Sequence, residues 1–366
     1  MLDICGLANL GSSQHLKWVF APQLGASRID SEVNHKASAQ QIEKVPPQMR
    51  KFVRALRSVG YKLPQAVADL VDNSLDAQAK KVIIRFVLIP NDSLDLTIWD
   101  NGHGMSSPTL TEAIRIGSET DKEEFHLGKF GMGLKLASLS QCENFEVISQ
   151  ESGGPILGLR SGMAELSRSE AVRLQADYCA AKMTEGAAGQ HANSGTVVRW
   201  VGLDRLQSIS QMTETDLHRL VKKVRAHLAL VFHRFLIKKG IEIETQIETG
   251  QAGAVFPPDP LEPLDPFGYP HSGIKDFPKQ FSVKIESIPV PVTMHVWPPN
   301  SQSREYKLPG GANRRQGFYF FRNDRLLQAG GWNGSREPEP HLSLSRVAIE
   351  LPTATDELVH LDIKKA

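Results

Sequence analysis

Residues 68–79 read ADLVDNSLDAQA and close a segment with the apolar spacing of a helix. Ala66, Val67, Leu70, Val71 and Leu75 supply a face to bury, and Pro64 suits a first helical turn. Asp69, Asn73 and Asp76 follow at spacings of four and three, which puts all three on one side of that helix. Such a side either faces water or faces a ligand that wants carboxylates and an amide. Asp72 is adjacent in sequence but is expected to point elsewhere on the helix.

What surrounds this helix narrows the choice. Met49, Phe52, Val53 and Leu56 form a helical stripe just before it, with Gly60 as a stop. KKVIIRFVLI (80–89) and LDLTIWD (94–100) read as strands separated by the turn signal Pro90-Asn91-Asp92. The second strand ends in Asp100-Asn-Gly102-His-Gly104. Residues 106–127 are polar, with a short helix-like PTLTEAIRIG. Gly128-Lys-Phe-Gly131-Met-Gly133 then enters a helix. NFEVISQ, PILGLR and GTVVRWVGL read as further strands, the last opening on Gly195-Thr196.

From Thr213, TETD offers a capping box to a long helix with an apolar stripe from Leu217 through Phe235. Residues 256–270 hold six prolines and read as an irregular connection. FSVKIES, VPVTMHV, GFYFFRNDRLLQAG and LVHLDIK are strand-like, so the second half reads as a helix plus a sheet. Residues 1–45 are weakly patterned and read as an arm or strap.

Bulk properties exclude several classes. A chain of 366 residues, 40% apolar and 23% charged, has ordinary globular composition and room for two domains. A net charge of +1 gives no global field for nucleic acid, although a local basic patch is compatible with it. Three cysteines without a CxxC make neither a disulfide framework nor a zinc site, so a reducing cytoplasm is the expected compartment. No apolar run approaches the ~18–20 residues of a membrane helix, and the N-terminus does not read as a signal peptide. No membrane partner is expected.

The glycine clusters are neither a Walker A loop nor a complete GxGxxG, because Ser107 and Leu136 occupy the third positions. Alone, DNGHG is compatible with a tight turn and GKFGMG with a helix entry chosen for close packing. In their order they are distinctive: an acidic residue four before Asn on a helix, a strand ending in DxGxG, GxxGxG at a helix start, then a late GT. Over residues 50–205 this resembles the GHKL ATPase superfamily (gyrase, heat-shock chaperone, histidine kinase, MutL). LVDNSLDA is its most specific part. The fold so implied is α+β: a Bergerat α/β sandwich ATPase domain over 46–205. A transducer domain of ribosomal-protein-like βαβ type follows over 206–366, after an arm or dimerisation strap at 1–45.

The resemblance implies ATP and Mg2+ as ligands. Asn73 matches the magnesium ligand, and magnesium takes few protein oxygens. Asp100 matches the carboxylate that accepts from adenine's exocyclic amine, with Gly102 and Gly104 admitting the base and Met105 packing on its face. Thr196 matches the distal residue that supports Asp100, often through water. Gly128, Gly131 and Gly133 would point amides at the phosphates at a helix start. Lys135, and Lys129 from a lid over 106–127, would add charge there, with Ser118 a further phosphate contact. Asp76, Ala77, Phe130, Met132 and Leu134 complete the expected nucleotide contacts.

Asp69 stands where hydrolysing members carry Glu as general base. Asp is shorter by one methylene, about 1–1.5 Å of reach, a shift of the size that can cost about 100-fold in rate. The expected activity is slow ATP hydrolysis, with a nucleotide switch of little turnover as the rival. The segment after 206 resembles the transducers of MutL, gyrase, heat-shock chaperones and MORC proteins, and FYFFRNDRLLQAGGW is similar to a MORC segment. Lys364 and Lys365 are the candidates for a lysine reaching the γ-phosphate. The implied partners are a second copy in an ATP-dependent homodimer and either DNA or a protein effector. Arg219, Lys222, Lys223, Arg225, Lys238 and Lys239 are candidates for a DNA-facing stripe, or for a solvated helix face.

Overall fold

The computed structural model describes residues 48–58, 61–116, 133–206, 209–250 and 254–355. The arm 1–45, Ser118, the segment Gly128, Lys129, Phe130, Gly131 and Met132, and the pair Lys364 and Lys365 lie outside the described residues.

Two helices lead, α1 (Met49–Ser58) and α2 (Leu63–Asp76), followed by the hairpin β1 (Lys81–Ile89) and β2 (Ser93–Asp100). Asn91 takes positive φ in its turn, as the Pro-Asn-Asp signal anticipates. Next come α3 (Ser107–Ile114), α4 (Gly133–Gln141), β3 (Cys142–Gln150), β4 (Leu157–Gly162), α5 (Met163–Leu166), β5 (Val172–Arg173), α6 (Ala176–Gly186) and β6 (Gly195–Leu203). The chain continues through α7 (Glu214–Val231), α8 (His233–Lys238), β7 (Glu242–Thr249), β8 (Ala254–Val255) and β9 (Asp259–Pro260). The last part holds β10 (Lys279–Ile285), β11 (Ile288–Val296), α9 (Arg304–Lys307), β12 (Gly317–Arg322), β13 (Arg325–Ala329) and β14 (Ser345–Glu350).

The first sheet runs β5-β4-β3-β6-β2-β1-β7-β8, with β9 also on β7. Alternation along its strands sends side chains to two layers. Val82, Ile84 and Phe86 of β1, Ile98 of β2 and Trp200 of β6 join the main core with Val67, Leu70 and Val71 of α2 and Leu217, Val224 and Leu228 of α7. Ile83, Trp99, Ile148 and Val197 face the other way and pack with Cys179 and Met183 of α6. The fold is therefore an α+β sandwich.

Three local readings change in the structure. The long helix from Thr213 has its capping box, with Thr213 Oγ1 accepting from the Asp216 amide at 3.2 Å, but it breaks at Phe232 and restarts as α8. The helix α6 carries only Cys179 and Gly186 fully buried, too sparse a stripe for periodicity to reveal. The strand β7 pairs parallel to β1, Val82 opposite Ile243 and Phe86 opposite Ile247, so the first sheet continues past residue 205. Parallel partners need a long crossover, and α7 supplies it.

The second sheet runs β10-β11-β14-β12-β13, with β12 and β14 parallel. Phe318, Phe320, Val347 and Ile349 form a core of their own. Tyr319, Phe321, Leu326 and Ala348 point back into the main core. β13 thereby approaches α7, and Arg325, its first residue, reaches α2.

Candidate functional site

The polar side of α2 is neither open to water nor sealed. Asp69, Asn73, Asp76 and Ala77 are all half-buried, while Ala66, Val67, Ala68, Leu70 and Val71 are buried. Pro64 sits in the first turn, and the Gln65 side chain reaches back to the Lys62 amide at 3.4 Å. These caps fix where α2 starts and so which residues share its polar side.

Asp100 ends β2 beneath the C-terminal half of α2. Its Oδ2 accepts from Ser74 Oγ at 3.0 Å, and its Oδ1 accepts from the Gly102 amide at 2.9 Å. Burial pushes its carboxyl up to about 6, against the Gly102 amide, the Ser74 hydroxyl and the Thr196 amide, which favour the charged form. Thr196 lies opposite Asp100 in the β2–β6 register. Its Oγ1 is 2.9 Å from Ser149 Oγ, so its hydroxyl is engaged one strand further on.

The turn after Asp100 is clamped by the protein itself. A Cβ on Gly102 would lie 2.7 Å from the Ala77 carbonyl oxygen, and the His103 amide donates to that same carbonyl at 3.0 Å. Gly104 has a φ of +72° and leaves no room for a Cβ, which would fall 1.9 Å from the Gln150 carbonyl oxygen. Asn101 Oδ1 accepts from the Lys80 and Lys81 amides at 2.9 and 2.8 Å. DNGHG is thus a rigid corner between the end of α2, the start of β1 and the end of β3. Met105, next in the chain, packs half-buried on the main core.

Gly133 opens α4 with open space where a Cβ would stand, and Leu134 packs half-buried on the core. Lys135 is 1% exposed, and its Nζ donates to the Arg115 carbonyl at 2.7 Å. Its ammonium therefore ties the end of α3 to α4.

Asp69 has a different neighbourhood. Its side chain is 16% exposed, and the Tyr61 hydroxyl donates to it. Burial pushes its carboxyl up to about 7, the Asp72 charge adds to the rise, and Arg325 and Tyr61 oppose it. Asp72 does point elsewhere, as expected, but it points into protein and holds Arg325.

The fit of a magnesium ion rests on Asn73. Its Nδ2 is buried and has no hydrogen-bond partner among the described residues. That end of the amide is uncommitted, and turning the amide over presents a hard oxygen there. Among the described residues no three His, Cys, Asp or Glu side chains gather to hold a metal. A magnesium ion at Asn73 would thus draw its other ligands from water and phosphate, as this ion commonly does.

Residues 61–182 match the family model of histidine kinase-, DNA gyrase B-, and HSP90-like ATPases. This part of the chain is a GHKL ATPase domain. A GHKL domain is an ATP-binding unit. Two relatives align with parts of the chain. ATPase morc-1 of Caenorhabditis elegans is 32% identical over 88 residues, 24% of this chain and 10% of that protein. DNA mismatch repair protein MutL of Aquifex aeolicus (strain VF5) is 27% identical over 129 residues, 33% of this chain and 30% of that protein. The chain thus spans well under half the length of either relative.

Four residues around Asp69 and Asp100 were not singled out by the sequence. Ser74 and Ser149 are plain hydroxyls; the partner of Ser74 is set by how α2 lies on β2, and that of Ser149 by the β3–β6 pairing. Tyr61 precedes the helix and gives no periodic signal. Arg325 lies in a recognised segment, but nothing local says that it crosses to α2.

Proposed function

We propose that this chain binds ATP with magnesium along α2 and hydrolyses it slowly. The observation that carries the reading is the order of groups on one helix: Asp69, Asn73, then Ser74 and Ala77 against Asp100 and Gly102. Asp69 and Ala77 are eight residues apart, about 12 Å along the axis, a span that a nucleoside triphosphate can follow.

Asp100 would accept from the adenine amine, and its three donors hold it charged and aimed. Guanine offers an oxygen at that position, and two facing acceptors repel, so adenine is preferred by about 1.5–3 kcal/mol. Asn73 would hold the magnesium, which offsets phosphate charge when bound. Asp69 would take a proton from the attacking water as its oxygen bonds the γ-phosphorus and the bond to the β-phosphate oxygen breaks. A carboxylate near pH 7 suits a general base.

The rival switch with little turnover is favoured by one feature: Asp69 is short and already engaged by Tyr61 and near Arg325. Steady-state hydrolysis by the full chain with magnesium, beside Asp69→Asn and Asp69→Glu, separates the two. We expect slow turnover, lost in Asn and kept or raised in Glu. ATP bound tightly with native turnover no higher than Asp69→Asn would leave the switch.

The larger action we propose is a clamp that closes as an ATP-dependent homodimer on DNA or a DNA-processing complex, as the likeness to MutL supports. A protein client is the alternative. The candidate basic stripe is largely neutralised within the chain: Arg219 pairs with Asp216, Arg225 with Asp259, and Lys238 and Lys239 with Asp324. Lys222 and Lys223 stay exposed. DNA binding that falls steeply with salt, and a rise in mass by light scattering with a non-hydrolysable ATP analogue, are the expected results. A salt-insensitive, monomeric chain would remove the clamp.

A further inference from the structure

The hydrolytic reading leaves Asp72 and Arg325 without a role, yet they form the most buried ion pair beside the site. Asp72 is 7% exposed and Arg325 is 2% exposed. The guanidinium meets Asp72 edge-on, with Nε 3.1 and 2.9 Å from the two carboxylate oxygens and Nη2 2.8 Å from Oδ2. The same Nη2 lies 3.8 Å from Asp69 Oδ1. Nη1 donates to the Leu326 carbonyl at 3.1 Å, and the guanidinium carbon lies 5.5 Å from the Phe232 ring, where α7 gives way to α8.

Arg325 is itself held firmly. It follows the tight turn Asn323-Asp324, both at positive φ, and Asp324 is pinned by Lys239 at 3.2 Å. Charged and titratable groups reach this spot from several elements: Tyr61 ahead of α2, Asp69, Asp72 and Asp76 on α2, His227 on α7 and Arg325 on β13. Lys135 of α4 is turned to the Arg115 carbonyl. Burial, with the guanidiniums of Arg325 and Arg315, pushes His227 down to about 4, so Arg325 is the cation here near neutral pH.

One guanidinium between the buried Asp72 and the half-buried Asp69 cannot serve both equally. Two-point contact is the stronger arrangement, and Asp72 has it. Asp69 keeps an outer contact on one side and the Tyr61 hydroxyl on the other. We propose that Arg325 is a positioning residue for hydrolysis: anchored on Asp72, it orients the Asp69 carboxylate from the second sheet without locking it. Hydrolysis then requires the second sheet to be docked on α2. The proposal rests on the hydrolytic reading above.

The test uses the full chain with magnesium and ATP, and reads kcat beside the Kd of a fluorescent ATP analogue. Truncating Arg325 alone strands buried carboxylates, so the main variant is the neutral pair Asp72→Asn with Arg325→Gln, whose amides can bond each other. Arg325→Lys keeps the charge without the fork. Glu350→Gln breaks the Arg234–Glu350 pair, a contact between α8 and the second sheet away from α2. We expect the neutral pair to lose about 10- to 100-fold in kcat with Kd within about twofold. Arg325→Lys should retain more kcat than the pair, and Glu350→Gln should keep both constants. An undiminished kcat in the neutral pair, kcat and affinity lost together, or an equal kcat loss in Glu350→Gln each overturns the proposal and leaves the ATPase reading standing. Native turnover equal to Asp69→Asn removes both.

Discussion

Asp69 makes a quantitative demand on the pH dependence of hydrolysis. Its carboxyl is raised from 3.8 to about 7 by burial and by Asp72, so a base at this position is half-protonated near neutrality. With a midpoint at 7, the ionised fraction is about 10% at pH 6 and about 90% at pH 8. kcat/KM, which reads the free protein, should therefore rise about tenfold across those two units and level off above pH 8, where the ionised fraction nears one. The assay is phosphate release from pH 5.5 to 8.5 at constant ionic strength, with Asp69→Asn measured alongside. Titration of the nucleotide's own γ-phosphate would appear in both proteins, whereas the Asp69 limb would be missing from the variant. A flat kcat/KM profile, or the same limb in Asp69→Asn, would refute the assignment of the base.

The same group sets a stability prediction. A carboxyl raised on folding contributes stability that is present below its unfolded value near 4 and is lost as pH rises through about 7. The loss is up to about 4 kcal/mol at pH 8, so Asp69→Asn should melt higher than the native chain at pH 8 and alike at pH 3.5; a lower melting temperature at pH 8 would contradict it. Asp100→Asn places an amide nitrogen toward the adenine amine and should weaken ATP binding about 10- to 100-fold while sparing GTP, by equilibrium binding; unchanged ATP affinity would argue against adenine at Asp100. Gly104→Ala forces a Cβ to within 1.9 Å of the Gln150 carbonyl at a φ of +72°, so it should cost more than about 2 kcal/mol in denaturant unfolding. A neutral Gly104→Ala would mean that the corner yields.

Local patterns determined much of this protein. The three-and-four spacing on α2 identified both its buried and its polar side, because helical geometry alone fixes which residues are neighbours. Asp100-Asn-Gly-His-Gly announced a strand end and a rigid turn, because few residues besides glycine tolerate such backbone. The order of these pieces was enough to expect a GHKL ATPase domain over residues 46–205, and the family model matches residues 61–182 within it. Tertiary structure alone decided the rest. That β7 joins β1 follows from a parallel pairing across a long crossover, which no window of sequence contains. That Ser74 supports Asp100 follows from how α2 lies on β2. That Asp72 binds an arginine 253 residues away follows from a hairpin in the second sheet set against α2. Spacing along a chain encodes contacts within a turn or a strand pair, whereas these contacts exist only once separate elements share one core.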